Sequence, residues 1–189
     1  MEFKKVENLE KFLNNLEKIC KRNSYPIIGP EKGRFLGELV KKYRPKKILE
    51  IGTLVGYSAI IMASNLGGTG RIVSLEANYD SAKLANRNIK RVGLENRINI
   101  IIGKALKIIP ELKEGFDFVF IDAEKKEYLK YLRAVEPLLS KKAVVVADNI
   151  GKFSKDVEDY LRYVRNSGRY KSKNYFFCQD SVELSIKSL

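Results

Sequence analysis

The chain has 189 residues, of which 44% are hydrophobic and 31% charged, the composition of an ordinary globular domain. It contains no histidine, which excludes a Ser-His-Asp triad, a Cys-His dyad and any imidazole metal site. The two cysteines, Cys20 and Cys178, lie near opposite ends of the chain and give no basis for a disulfide framework or a zinc site. Any bound metal would need oxygen ligands, which suits Mg²⁺, Ca²⁺ or Mn²⁺.

The formal net charge is +13 at pH 7. This charge favours a polyanionic partner such as nucleic acid, but a lysine-rich background surface explains it equally well. The sequence has no run of roughly 20 uncharged apolar residues, the length of a membrane span, and its start lacks the apolar core of a signal peptide. We therefore expect one cytoplasmic domain, residues 1–189, with no membrane partner.

The chain begins with a pattern typical of two helices. Apolar residues recur at steps of three and four over residues 2–21, which predicts an amphipathic helix that caps the core, acts as a lid or forms a dimer face. Its apolar positions are Phe3, Val6, Leu9, Phe12, Leu13, Leu16 and Ile19. A second helix is predicted from about Glu31 to Tyr43, because Pro30 is a start signal and Pro45 a stop signal. Residues 1–44 are expected to cap the site.

Short apolar runs then alternate with segments long enough for a crossover helix. The runs cover residues 47–51, 71–76, 97–102, 116–121 and 143–148. This order predicts repeated βαβ units, hence an α/β fold whose parallel sheet has helices on both faces. A helix is expected around 154–166. The last two strands, 173–179 and 182–187, are predicted to form an antiparallel hairpin at the sheet edge, with Asp180 and Ser181 as its turn.

The first strand of this series leads directly into a helix through glycines. Gly52 and Gly56 permit a tight turn and a close approach of the backbone to a ligand, and the helix N-terminus offers free N–H groups. Glu76 ends the second strand, where a carboxylate can accept hydrogen bonds from both ribose hydroxyls of an adenosine. The absence of G-x-G-x-x-G argues against NAD. A turn that serves packing alone is the alternative.

Two later strands end in acids. Asp122 follows one strand, and Asp148 and Asn149 follow the next. If these strands are neighbours, roughly 4.8 Å apart, the three oxygen-bearing groups can converge on Mg²⁺. Asp122 alone would more often be a helix N-cap. If a helical turn begins at Asp122, Lys125 shares a face with it and is a candidate general base beside a divalent cation; the alternative is a solvated lysine in a charged cluster.

Together these motifs resemble the metal-dependent O-methyltransferases of the catechol and caffeoyl-coenzyme A type, which use S-adenosylmethionine. The resemblance runs from PEKGRFL near residue 30 through EIGTLVGYS, GKALKIIPEL, FDFVFIDAEK and VVADN to DSVELSIK. It implies a Rossmann-like class I methyltransferase with a seven-stranded, mostly parallel sheet and an antiparallel C-terminal strand. It also implies Mg²⁺ held by Asp122, Asp148 and Asn149, with Lys125 near the attacking hydroxyl. The predicted cofactor-binding residues are Glu50, Gly52, Gly56, Ser58, Glu76, Ala105 and Asp122.

The chain departs from that family at two places that affect substrate recognition. Lys104 follows Gly103, where many relatives carry an acid beside the adenine. After Asn149 the chain passes quickly into a helix, which implies a more open acceptor site than in relatives with a longer insertion.

Three functions follow from the resemblance and the residues. The first is O-methylation of a catechol-like small molecule with vicinal hydroxyls. The second is methylation of 5-hydroxyuridine in transfer RNA, for which residues 160–177 interleave tyrosines with basic side chains; these basic side chains equally suit a solvated helix face and a protected edge strand. The third is a cofactor-binding module without catalysis. The family resemblance also implies a homodimer.

Overall fold

The computed structural model describes residues 8–178 and 180–188, which form a seven-stranded sheet with helices on both faces. The strands are β1 Lys47–Ile51, β2 Arg71–Glu76, β3 Ile98–Ile102, β4 Phe116–Ile121, β5 Leu139–Ala147, β6 Tyr170–Phe177 and β7 Asp180–Lys187. The helices are α1 Leu9–Arg22, α2 Gly29–Tyr43, α3 Tyr57–Asn65, α4 Tyr79–Arg91, α5 Ala105–Ile108, α6 Tyr128–Val135 and α7 Glu158–Asn166. Of these helices, all within the described ranges, none is long and apolar enough to cross a bilayer.

The strand order is β3-β2-β1-β4-β5-β7-β6. Strands β1 to β5 pair in parallel, whereas β7 is antiparallel to both β5 and β6. The predicted α/β class, the seven-stranded sheet and the antiparallel C-terminal strand are confirmed. The chain proceeds outward from β1 to β3 and then returns to β4 beside β1. This reversal creates a switch point, and ligands of open α/β sheets bind beyond the carboxyl ends of the strands at such a point.

The sheet separates two apolar clusters, as expected for strands covered on both faces. Residues such as Ile48 and Phe118 point into the cluster that also contains α1, α2 and α3, while Leu49 and Val119 point into the opposite one with α6 and α7. Successive strand side chains face opposite sides of a sheet, so consecutive apolar residues fill both clusters. Phe12 of α1 is buried in the first cluster, so the amphipathic N-terminal helix packs on the core.

The structure differs from the sequence predictions at several element ends, among them the start of β5, which lies at Leu139 rather than Ala143. The first helix is described from Leu9, and Phe3 and Val6 lie outside the described residues. Helix α7 begins at Glu158 rather than near residue 154, since turns fill residues 151–157. The predicted hairpin turn at Asp180 and Ser181 is wrong, because both residues lie in β7. The Asp180 carboxylate accepts tertiary hydrogen bonds from Lys32 and Asn149 and takes no part in a turn.

Candidate active site

A cavity of about 1030 Å³ lies beyond the carboxyl ends of the central strands. Most of the predicted site residues line it: Gly52, Ser58, Glu76, Ala105, Asp122, Lys125, Asp148 and Asn149. The connection between α1 and α2 contributes Pro26, Ile27 and Ile28 to the wall, and Lys104 also faces the cavity. Its volume is at the upper end of the range for small-molecule sites, so it has room for a nucleotide cofactor and an acceptor.

The glycine turn is shaped by contacts inside the protein. Gly52 and Gly56 have φ angles of 98° and 84°, in the left-handed region that favours glycine. A Cβ on Gly52 would lie 2.1 Å from the carbonyl oxygen of Asp122, and one on Gly56 would lie 3.2 Å from the Cβ of Ala85. The sequence suggested that the missing side chains make room for a ligand. In the structure they make room for Asp122, which follows β4, and for Ala85 of α4. Gly52 also lines the cavity, but Gly56 does not.

The Glu76 carboxylate fixes the loop that follows Gly52. Its Oε2 accepts hydrogen bonds from the backbone N–H groups of Thr53, at 3.1 Å, and Leu54, at 2.7 Å. Its Oε1 accepts one from the N–H of Asn78 at 2.8 Å. An ionised carboxylate has about four acceptor positions, so Glu76 keeps capacity for a ligand on the cavity side. Its contact with a cofactor ribose stays a prediction.

Glu50 lies beneath the turn and does not line the cavity. Its carboxyl group is fully buried and accepts hydrogen bonds from the hydroxyls of Ser58, at 2.5 Å, and Ser74. Burial raises the pKa of Glu50 to about 7, which the two hydroxyl hydrogen bonds oppose and the charges of Asp122 and Glu76 reinforce. The structure therefore makes Glu50 a support of the pocket floor, linked to the cavity through Ser58.

Lys125 and Asp122 meet as their three-residue spacing suggested. The Lys125 Nζ lies 2.7 Å from Oδ1 of Asp122 and donates a hydrogen bond of 2.9 Å to the Tyr128 hydroxyl. That hydroxyl in turn donates to the backbone carbonyl of Asp148 at 3.1 Å. Nζ also lies 5.8 Å from the ring centre of Phe153. The Lys125 side chain is only 15% exposed, so it is held inside the cavity wall rather than solvated in a charged cluster.

Asp148 is almost completely buried and is neutralised by a lysine from α2. Both carboxylate oxygens accept hydrogen bonds from Lys32 Nζ, at 2.6 and 2.8 Å. Burial and, secondarily, the charge of Asp122 raise the pKa of Asp148 to about 6, while Lys32 opposes the shift. Asp122 and Asp148 are neighbours in the sheet, because each follows a paired strand residue, Ile121 of β4 and Ala147 of β5.

Asp180 joins this cluster from β7. Its Oδ2 accepts hydrogen bonds from Lys32 Nζ at 2.9 Å and from Nδ2 of Asn149 at 2.7 Å, and its Oδ1 accepts from the backbone N–H of Lys152 at 3.0 Å. Burial alone would raise its pKa, but the hydrogen bonds from these donors outweigh burial and lower the pKa of Asp180 to about 2. Because Nδ2 of Asn149 is engaged, its Oδ1 is the atom left for a ligand.

The chemistry of these side chains fits a divalent cation. Two carboxylates, from Asp122 and Asp148, and one amide oxygen, from Asn149, match the oxygen preference of Mg²⁺. Within residues 8–178 and 180–188, no three His, Cys, Asp or Glu side chains gather as a metal site. The two carboxylates are neutralised by the ammonium groups of Lys125 and Lys32.

Nothing in the sequence pattern indicates that Lys32, Asp180 or Tyr128 belongs to the site, and the pattern predicts a turn at Asp180. Lys32 and Asp180 stand in PEKGRFL and DSVELSIK, two of the segments that carry the family resemblance. That resemblance was the only available signal, because they are 148 residues apart and no local pattern joins them.

Comparison with known proteins decides the family. A family model described as O-methyltransferase matches residues 4–176. The chain belongs to the S-adenosylmethionine-dependent O-methyltransferases. It is 35% identical over 188 residues to catechol O-methyltransferase B of Danio rerio, covering 92% of this chain and 70% of the relative. It is 40% identical over 136 residues to the catechol O-methyltransferase of Niastella koreensis, covering 70% of this chain and 62% of the relative.

A solved O-methyltransferase shares the fold. The structure from Bacillus cereus in complex with SAH has a TM-score of 0.86 and 26% sequence identity, and the match covers 94% of this chain and 91% of that one.

The basic segment of this O-methyltransferase, residues 160–177, presents fewer rings than its sequence suggested. Tyr160 and Tyr170 are buried, so neither ring is available to stack on a base. Arg165 binds the buried carboxylate of Glu183 through two hydrogen bonds of 2.7 Å, one from Nε and one from Nη2. Arg162 and Arg169 remain more than half exposed. The segment therefore combines buried rings with one exposed ring, that of Phe176, and several exposed basic side chains.

Proposed function

We propose that this O-methyltransferase transfers the methyl group of S-adenosylmethionine to one oxygen of a small acceptor with vicinal hydroxyls, such as a catechol. The observation that carries the proposal is the convergence of the glycine turn, Asp122, Lys125 and Asp148 on one cavity of about 1030 Å³. The SAH in the Bacillus cereus structure and the names of the Danio rerio and Niastella koreensis relatives support the donor and the acceptor class.

In this proposal the residues near Gly52 hold the methyl donor. The turn after β1, the first residues of α3 and Glu76 line the cavity. The helix N-terminus would favour an anionic group of the donor, and Glu76 would accept hydrogen bonds from its ribose. The backbone hydrogen bonds from Thr53 and Leu54 lock the Glu76 carboxylate before any ligand arrives. Such preorganisation reduces the ordering cost of binding.

The proposed divalent cation is held by Asp122, Asp148 and Asn149. When bound there, such an ion would supply Lewis-acid chemistry, which would make a nearby hydroxyl of the acceptor more acidic. The chain itself supplies the alignment, because β4 and β5 pair side by side and place Asp122 and Asp148 at one end of the sheet. Reacting atoms held near attack distance account for a large part of catalysis in group transfer.

Lys125 is the proposed proton acceptor. In the structure its ammonium group binds the Asp122 carboxylate, so Nζ has to leave Asp122 and release one proton to solvent before it can take the hydroxyl proton. The Tyr128 hydroxyl keeps Nζ in place on the other side. The acceptor oxygen then gives its electron pair to the methyl carbon, the carbon–sulfur bond breaks with its pair on sulfur, and the proton ends on Lys125.

Transfer RNA is the second candidate acceptor. The net charge of +13 and the exposed guanidinium groups of Arg162 and Arg169 favour it. The burial of Tyr160 and Tyr170 makes two rings of the segment unavailable for stacking, whereas Phe176 is 84% exposed and stays available. The names of the Danio rerio and Niastella koreensis relatives favour a small acceptor over RNA.

The test is transfer of a tritiated methyl group from S-adenosylmethionine to 3,4-dihydroxybenzoate and, separately, to unmodified transfer RNA, each with Mg²⁺ and with a chelator. Label in the catechol that disappears with the chelator supports the proposal. Label in RNA alone makes the second candidate correct. Donor binding without transfer to any of a panel of catechols or RNA would leave a cofactor-binding module.

A further inference from the structure

Lys32 is the cation nearest to the buried acid of the proposed metal site. Its Nζ lies 2.6 and 2.8 Å from the two oxygens of Asp148 and 2.9 Å from Oδ2 of Asp180. A lysine ammonium has three N–H donors, so these three contacts use all of them. The side chain of Lys32 is 13% exposed and that of Asp148 is 1% exposed, so water screens their attraction little.

We infer that Lys32 is a built-in counter-ion of Asp148, which a divalent cation must displace in order to bind. The inference rests on the proposed function, since it concerns the same metal ligands. Mg²⁺ or Mn²⁺ binds a carboxylate oxygen at about 2.1 Å. Lys32 already holds both oxygens of Asp148, so an incoming ion would share them with a second positive charge only a few ångströms away.

Asp180 provides the place to which the displaced ammonium moves. Lys32 already contacts Oδ2 of Asp180, and that carboxylate is fixed by the backbone N–H of Lys152 and by Nδ2 of Asn149. Lys32 can therefore release Asp148 and keep an acidic partner. A buried charge left without any partner would be strongly destabilising, and this second acid avoids that state.

The arrangement lowers metal affinity and connects the metal site to the N-terminal helices. Lys32 lies in the first turns of α2, and the residues just before this helix, Pro26 to Ile28, line the cavity. Without the ion, Lys32 keeps Asp148 neutralised and ties α2 to the end of β5. With the ion, that tie is reduced to the contact with Asp180.

The decisive measurement is Mn²⁺ binding to the full chain at pH 8, followed by the electron paramagnetic resonance signal of free Mn²⁺, without acceptor. The proteins are the unchanged chain, Lys32→Met and Lys32→Gln. Both variants are expected to bind one Mn²⁺ at least about tenfold more tightly, because the competing charge is gone. The control is Lys47→Met, which removes a lysine with an ion pair of 2.7 Å to Glu114 but far less buried. Circular dichroism melts check that each variant is folded.

The outcomes separate this inference from the proposed function. If the unchanged chain binds Mn²⁺ and both folded Lys32 variants bind it equally or more weakly, the counter-ion role of Lys32 is wrong and the metal site stands. If no protein binds Mn²⁺, both are wrong. Binding that appears only in the Lys32 variants supports the inference in its strongest form. Adding Asp148→Asn to Lys32→Gln is expected to remove the gain, and a gain that persists places the ion elsewhere and overturns the inference.

Discussion

A Cβ on residue 52 would lie 2.1 Å from the carbonyl oxygen of Asp122. Gly52 belongs to the turn proposed to hold the methyl donor, and Asp122 is a proposed metal ligand. Their contact brings the two halves of the site together, and it exists only because residue 52 has no side chain. We therefore expect the backbone to set part of the distance between the proposed donor site and the proposed metal site.

This contact predicts that Gly52→Ala lowers the free energy of unfolding by about 3 kcal/mol or more, through overpacking against β4 and a strained positive φ. Urea unfolding measures the loss, and calorimetry is expected to show weaker binding of S-adenosylmethionine. Gly168→Ala is the matched control: Gly168 has a φ of 73°, but no atom of the described residues lies within 4 Å of the position that a Cβ would take there. It should cost only about 1 kcal/mol. Equal losses in the two variants would show that the Asp122 contact is unimportant.

Glu76→Gln is expected to weaken binding of S-adenosylmethionine by about tenfold or more. The amide keeps one acceptor oxygen, so it cannot receive the N–H groups of Thr53, Leu54 and Asn78 together with a ribose hydroxyl. Isothermal titration calorimetry with the donor alone measures the change. Glu95→Gln, an exposed acid between α4 and β3, is the control and should bind normally. Normal binding by Glu76→Gln would remove Glu76 from the cofactor site.

Lys125→Met is expected to reduce kcat/KM for methyl transfer by about 100-fold or more, the usual contribution of a general base. Donor affinity should stay within about threefold, because Lys125 contacts Asp122 and Tyr128 rather than the glycine turn. The neighbouring Lys126 is exposed, so Lys126→Met makes the same change in composition outside the cavity and should retain activity. A proton-transfer role for Lys125 is untenable if both variants turn over at the same rate.

Asp148→Asn is expected to abolish the stimulation of methyl transfer by Mg²⁺ while donor affinity changes by less than about threefold, since the substitution removes a hard anionic ligand and keeps the shape of the side chain. Rates with and without a chelator measure the stimulation. Asp80→Asn, in the exposed first turn of α4, controls for the change in net charge. Stimulation that survives in folded Asp148→Asn would contradict the metal assignment.

Glu50 should make stability depend on pH. In the folded protein its carboxyl group has a pKa of about 7, against an ordinary value of 4.5. Between these values the folded state holds more protons than the unfolded state, so the free energy of unfolding falls as the pH rises. Relative to Glu50→Gln, the unchanged chain should lose up to about 3 kcal/mol between pH 4.5 and 7.5.

Urea unfolding at several pH values with a chelator present checks this expectation. Glu111→Gln removes an exposed acid and should follow the unchanged chain over the same range. If the free energy of unfolding depends on pH in the same way for the unchanged chain and Glu50→Gln, folding does not raise the pKa of Glu50.

The sequence by itself determined the strands and the identity of the residues at their ends. Runs such as FDFVFI are apolar at consecutive positions because both faces of β4 are buried, and this local signal located β1 to β5 to within a few residues. The acids Asp122 and Asp148 could be placed at one edge of the sheet because parallel strands end together.

Only the tertiary structure decided which charged groups meet. β7 inserts between β5 and β6, which brings Asp180 to Asn149 and Lys32, and the sequence pattern had placed Asp180 in a turn. The clearance between Gly52 and Asp122 likewise depends on β1 and β4 being neighbours. The spacing of apolar residues along the chain indicates which side chains are buried. It does not indicate the partner of a buried charge such as Asp148, because strand order brings that partner, Lys32, from 116 residues away.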